Sequence, residues 1–160
     1  MLIISQNAAN YGIPLPEDTI YRINLAWVNS IKELEDLFEI LNNYDNIKYF
    51  AISNVNSPED LALYVKVLPK EIIIVPKIES PKAVLNIKNI VESIPTTRKI
   101  LMLDHDDLYS NLIKNQEPST KFTEYIKKLT EFCTENNVSL LRTIGVMFSE
   151  EENRPTQYIK

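Results

Sequence analysis

Glycine is nearly missing: Gly12 and Gly145 are the only two in 160 residues. A loop that cradles phosphates needs glycine where the backbone approaches its ligand, so neither a G-x-G-x-x-G turn nor a Walker loop is present. The single cysteine, Cys133, rules out an internal disulfide and a cysteine-based metal cluster. Lysine and arginine (17) are outnumbered by aspartate and glutamate (22), and the formal charge is −5 with no basic block. Such a surface is a poor partner for nucleic acid or an anionic bilayer. No apolar run is long enough to span a membrane. The opening "MLIIS" has neither the length nor the basic flank of a secretory signal. Together these absences lead us to expect a cytoplasmic protein.

What is present is a globular composition, 44% hydrophobic, in a chain long enough for one real core. A single theme repeats. A short β-branched or aromatic run is followed by a capping residue and then by apolar residues at helical spacing. "TIYRINLAW" (19–27) precedes Ser30 and Glu33, a capping box, with Ile31, Leu34, Leu37, Phe38 and Leu41 behind it. "IKYFAIS" (47–53) precedes Ser57, Pro58 and Asp60, with proline at the first helical position and Leu61, Tyr64, Val65 and Leu68 beyond. "EIIIVPKI" (71–78) precedes Ser80, Pro81 and one helix carrying Val84, Ile87, Ile90, Val91 and Ile94. "KILML" (99–103) leads through an acidic loop to a helix from about Ser119 with Phe122, Tyr125, Ile126, Leu129 and Phe132. Strands are expected at 20–26, 48–53, 72–78, 99–104 and 139–147, with 2–5 as a further candidate.

The caps Ser30, Ser57 and Ser80 recur at about the length of a βα unit. Strands alternating with helices imply a parallel sheet, and unbroken runs such as "IIIV" suit strands covered on both faces. The fold class is therefore α/β, with residues 1–160 as one domain and no linker in sight. A complete TIM (β/α) barrel takes roughly 250 residues. A partial or shortened barrel, or an open sheet, is what this length allows. An unclosed barrel leaves edges to cover, so a homo-oligomer or a partner chain on the open side is expected.

In parallel α/β folds, ligands bind where strands end at their carboxyl termini. Glu79 closes one apolar run, and Asp104, Asp106 and Asp107 follow the next. Neighbouring strands lie roughly 5 Å apart, so Glu79 and Asp107 can meet over that face. Two carboxylates suffice for Mg2+ or Mn2+, which fills its remaining positions with water and substrate. On spacing alone a plainer account is stronger. Glu79 precedes a helix, where the dipole favours negative charge. Asp106 and Asp107 can form Asx turns or cap a short helix at "LYSNL".

The stretch "IIIVPKIESPKAVLNIKNIVESI" followed by "ILMLDHDDLYSNL" resembles the core of the HpcH/HpaI aldolase and citrate lyase β-subunit superfamily, relatives of the pyruvate kinase barrel. "YRINLAW" and "FAISNVNSPEDL" are similar to two earlier units of those proteins, so the likeness runs over roughly residues 19 to 148. It implies a barrel of the phosphoenolpyruvate/pyruvate type, with Glu79 and Asp107 as Mg2+ ligands and Arg22 on a substrate carboxylate. Lys77 matches the lysine of a "KIE" motif that meets charge developing on an enolate; a place on the opposite strand face competes with that role. His105, the only histidine, would serve as an acid, against the alternative of a solvated loop residue. The implied activity is a metal-dependent carbon–carbon lyase acting on a 2-oxo acid or acyl-CoA-type carboxylate through a stabilised enolate.

Departures point the other way. The motif glycine three residues before the aspartate is Asp104, whose charge would repel an anionic substrate while adding potential for a cation. The glycine of "RGDL" is Asp106, which weakens a pyruvate kinase-type reading. A non-catalytic binding or scaffold protein on the same fold is thus the alternative. If the metal site exists, Glu79→Gln and Asp107→Asn are expected to abolish it and leave the fold intact, both acids being at loop ends.

Overall fold

The structure, a computed structural model, describes residues 3–5, 19–23 and 47–142. The apolar runs form the strands β1 (Ile3–Ser5), β2 (Thr19–Ile23), β3 (Ile47–Ile52), β4 (Ile73–Ile78), β5 (Ile100–Leu103) and β6 (Ser139–Arg142). Between them lie α1 (Glu59–Val67), α2 (Pro81–Leu85), α3 (Ile87–Ser93), α4 (His105–Lys114) and α5 (Lys121–Glu135). The helix expected after Ser30, and the strand residues expected at 24–26 and 143–147, lie outside the described residues.

All five strand pairings are parallel, and the sheet order is β1-β2-β3-β4-β5-β6. A doubly wound sheet reverses its strand order at a switch point. Among the described strands the order never reverses, so crossovers of one hand carry the described helices to the same side. This is the winding of a barrel, shortened, rather than of a two-sided open sheet. Two cores follow from it. Phe50, Ile52, Ile74, Ile78, Leu101 and Leu103 pack under the helices against Leu61, Tyr64, Ile90, Leu108, Leu112 and Leu129. Ala51, Val75, Ile100 and Met102, flanked by Tyr49, Ile73 and Leu141, cover the inner face. Because both faces are covered, β5 is buried at all four positions and β4 from Ile74 to Ile78, which is why their sequences read as unbroken apolar runs.

Local chemistry sets the helix starts. Asp60 Oδ2 accepts the N–H groups of Asn56 (2.8 Å) and Ser57 (2.9 Å) at the start of α1. Ser80 Oγ accepts from Ala83 N–H at 3.1 Å with Pro81 opening α2, as the Ser-Pro pair predicts. The single helix expected over Val84–Ile94 is instead two, broken at Asn86. At that break the Asn86 side-chain amide donates to the Asn56 carbonyl at 2.9 Å, tying the α2–α3 junction to a distant loop. Helix ends show what replaces glycine. Gln116 (φ 59°) and Asn137 (φ 54°) take the left-handed position after α4 and α5. The bonds Glu117 N–H to Leu112 O (3.2 Å) and Val138 N–H to Cys133 O (2.8 Å) complete Schellman closures.

No helix among the described residues is long and apolar enough to cross a membrane. Cys133 is buried in the helix layer, and burial pushes its thiol up to about 11. The folded state holds that proton more tightly than the unfolded chain does. Its contribution to stability is therefore intact below roughly pH 8.5 and is lost as pH rises through about 11. Iodoacetamide at pH 8 should label Cys133 slowly in native protein and rapidly in urea; equal rates would contradict the packing.

Candidate metal centre

Strand alternation aims a set of charged residues at one place. Ile73 and Val75 of β4 face the inner core, so Lys77 follows them, and Glu79 comes two residues later. On β5, Ile100 and Met102 face inward, and Asp104 is next in that series. The register pairs Lys77 with Met102 and Ile78 with Leu103. Asp104 N–H then donates to Ile78 O at 3.2 Å, carrying the ladder to the end of both strands. Asp104 also caps α4, its Oδ1 accepting from Asp107 N–H at 3.3 Å, which turns Asp107 back toward the strand ends. One oxygen from each of Glu79, Asp104 and Asp107 lies within 4.8 Å of the others. Glu79 is buried, Asp104 half-buried and Asp107 exposed.

Lys77 is 0% exposed, and its ammonium pairs with Glu79 Oε1 and, at 3.1 Å, with Asp104 Oδ2. A place on the opposite strand face is thereby excluded, because residues two apart on a strand share a face. Asp104 is not a bare charge: Oδ1 caps a helix and Oδ2 meets the Lys77 ammonium. Glu79 Oε2 accepts the Asn54 N–H at 2.6 Å. Asn54 reaches it from a left-handed conformation (φ 59°), which asparagine tolerates better than most residues. Burial raises the Glu79 carboxyl pKa, while Lys77 and the Asn54 N–H pull it down. Three carboxylates around one ammonium carry a formal charge of −2.

The remaining expected residues fall elsewhere. His105 is no solvated loop residue: it opens α4, is 6% exposed, and stands edge-on to Phe122 with ring centroids 6.5 Å apart. It alternates with Asp104 and so turns toward the helix layer. The "LYSNL" segment is the middle of α4, and its cap is Asp104 rather than Asp106 or Asp107. Arg22 pairs in register with Ser5 and Ala51, and its side chain lies outside the described residues.

Sequence reasoning missed the asparagines. The Asn111 amide donates to Glu79 O at 2.7 Å, fixing the residue whose side chain Asn54 orients. Asn54, Asn56, Ser80, Lys82 and Asn111 line a polar cleft of about 290 Å3 beside Glu79. For Asn54 the only signal was the scarcity of glycine, which leaves asparagine to fill left-handed positions; Asn56 and Asn111 gave none.

No family model matches this chain, and no curated protein matches it in sequence. Solved structures match its fold. RipC from Yersinia pestis aligns with a TM-score of 0.68 and 16% identity, over 98% of this chain and 78% of its own. The citrate lyase β subunit from M. tuberculosis, complexed with oxaloacetate and magnesium, aligns with a TM-score of 0.65 and 15% identity, over 94% of this chain and 71% of its own. The chain therefore has the α/β fold of these two structures, the citrate lyase β subunit among them, and that is the kind of fold the sequence resemblance implies. The Glu79, Asp104 and Asp107 cluster at its strand ends is compatible with a divalent metal.

Proposed function

We propose that this chain binds Mg2+ or Mn2+ through Glu79, Asp104 and Asp107, and presents a small 2-oxo acid or acyl-CoA-type carboxylate to it for carbon–carbon bond cleavage. The observation that carries the proposal is the convergence of three carboxylate oxygens within 4.8 Å at the carboxyl end of a parallel sheet. The donor set fits a hard divalent cation: all oxygen, formally −2 with Lys77 included, and open to solvent on the Asp107 side. Bound there, the ion would polarise the substrate carbonyl and offset the negative charge that develops as the bond breaks.

The chain's own residues do the rest. Lys77 holds Glu79 and Asp104 in place and supplies positive charge beside them. The apolar inner face below, with Val75 and Met102, keeps water away from that side. Arg22 takes the substrate carboxylate. His105, expected from the sequence as an acid, faces Phe122 instead and acts by seating the first turn of α4, which carries Asp107.

One observation favours the scaffold alternative. Lys77 already neutralises two of the three carboxylates, which is how a purely structural ion-pair cluster would look. Calorimetry separates the two readings. Wild-type protein should bind Mn2+, and Asp107→Asn, which removes a charged ligand, should strongly weaken that binding with its melting temperature almost unchanged. Absence of Mn2+ binding by the wild type would leave only the scaffold.

A further inference from the structure

Ser53 is 2% exposed, and its Oγ has no hydrogen-bond partner among the described residues. Buried hydroxyls almost always find a partner, so an orphan calls for a reason. Its position suggests one. Tyr49 and Ala51 of β3 face the inner core, and Ser53 continues that series one step past the strand end. The register pairs Ile52 with Pro76, which puts Ser53 beside Lys77 on the adjacent strand. The peptide joining Ser53 to Asn54 is the one whose N–H donates to Glu79 Oε2 at 2.6 Å. An unsatisfied hydroxyl thus stands at the edge of the carboxylate cluster, next to a fully buried ammonium. For packing alone, alanine would fill this place without stranding a polar atom.

We infer that Ser53 is a substrate-contacting residue whose hydroxyl donates a hydrogen bond to an oxygen of the bound anion, a small 2-oxo acid or dicarboxylate. The neighbouring ammonium sets the polarity: an oxygen arriving there must be an acceptor, and an anionic one is favoured over a neutral one. Ser53 therefore binds the organic ligand and takes no part in holding the ion. This inference rests on the proposed metal-and-carboxylate reading and adds to it a residue that the motif resemblance does not include.

The test uses Mn2+ and oxalate with wild type, Ser53→Ala and Ser53→Cys, the last retaining shape without a strong donor. Mn2+ affinity should stay within about twofold in both variants, since no ligand to the ion has changed. Oxalate affinity for the Mn2+-loaded protein should fall about 10-fold or more in both. The ligand-free Ser53→Ala protein should melt at the wild-type temperature or up to several degrees above it, because a stranded polar group has been removed. Unchanged oxalate affinity beside normal wild-type binding would overturn the role of Ser53 alone. So would a lowered melting temperature in Ser53→Ala, which would mean that the hydroxyl is held by a structural water. A wild-type protein that binds neither Mn2+ nor oxalate would overturn this inference together with the reading beneath it.

Discussion

Lys77→Met should weaken the fold and at the same time tighten its hold on a divalent ion. In the wild type the ammonium is fully buried between Glu79 and Asp104. Removing it leaves two carboxylates facing each other, one of them buried, with no counter-charge. Breaking a buried pair by deleting one partner typically costs about 3–5 kcal/mol. That is a large share of the roughly 5–15 kcal/mol that holds a domain together. The Glu79 carboxyl, already raised by burial, loses the strongest influence that lowers it. A methionine of similar length fills the space, so the loss is electrostatic rather than a cavity. The formal charge of the cluster moves from −2 to −3, and a divalent ion becomes its natural counter-charge. Urea melts with and without Mn2+ check both halves. Ligand-free Lys77→Met should unfold at a clearly lower midpoint, and Mn2+ should restore much of the difference by binding only the folded form. A variant that loses stability and gains no affinity for Mn2+ would show that the carboxylates do not hold an ion.

The same residue marks how far the sequence could be read. The strands, the parallel order and the Ser80–Pro81 helix start were legible because each depends on neighbours in sequence: burial on two faces, one capping hydroxyl, one proline. Even the shared face of Lys77 and Glu79 was available from strand periodicity, since no bulge intervenes. What was not legible depends on groups distant in the chain. Asn86, where the helix breaks, bonds a carbonyl 30 residues away, at Asn56. Asp104 read as a bare charge in the place of a motif glycine, whereas the group that meets it is an ammonium 27 residues earlier. His105 looked solvated because it sits among charges, yet the first turn of α4 points its ring at Phe122. Ser53 had no signature at all, because the lack of a partner is a property of tertiary packing.

Glu79→Gln should cost both the ion and much of the fold, contrary to what its place at a strand end suggests. Glu79 is only 3% exposed, and its two oxygens serve two donors: Oε1 the Lys77 ammonium, Oε2 the Asn54 N–H. A glutamine amide has one accepting oxygen and one donating nitrogen. Whichever way it is turned, it sets an NH2 against either an ammonium or a backbone N–H. Lys77 is then left with Asp104 as its described partner, still fully buried. A loss of about 3–5 kcal/mol is expected, which for a chain of this size lowers the melting temperature by roughly 6–20 °C. Asp107→Asn supplies the contrast, since Asp107 is exposed and surface substitutions usually fall within about 0.5 kcal/mol. Both variants should lose Mn2+ affinity, and only Glu79→Gln should lose stability. Thermal melts of the two variants beside wild type decide the matter. A Glu79→Gln protein that melts like wild type would mean that the buried pair contributes nothing net, and that Lys77 is held by Asp104 alone.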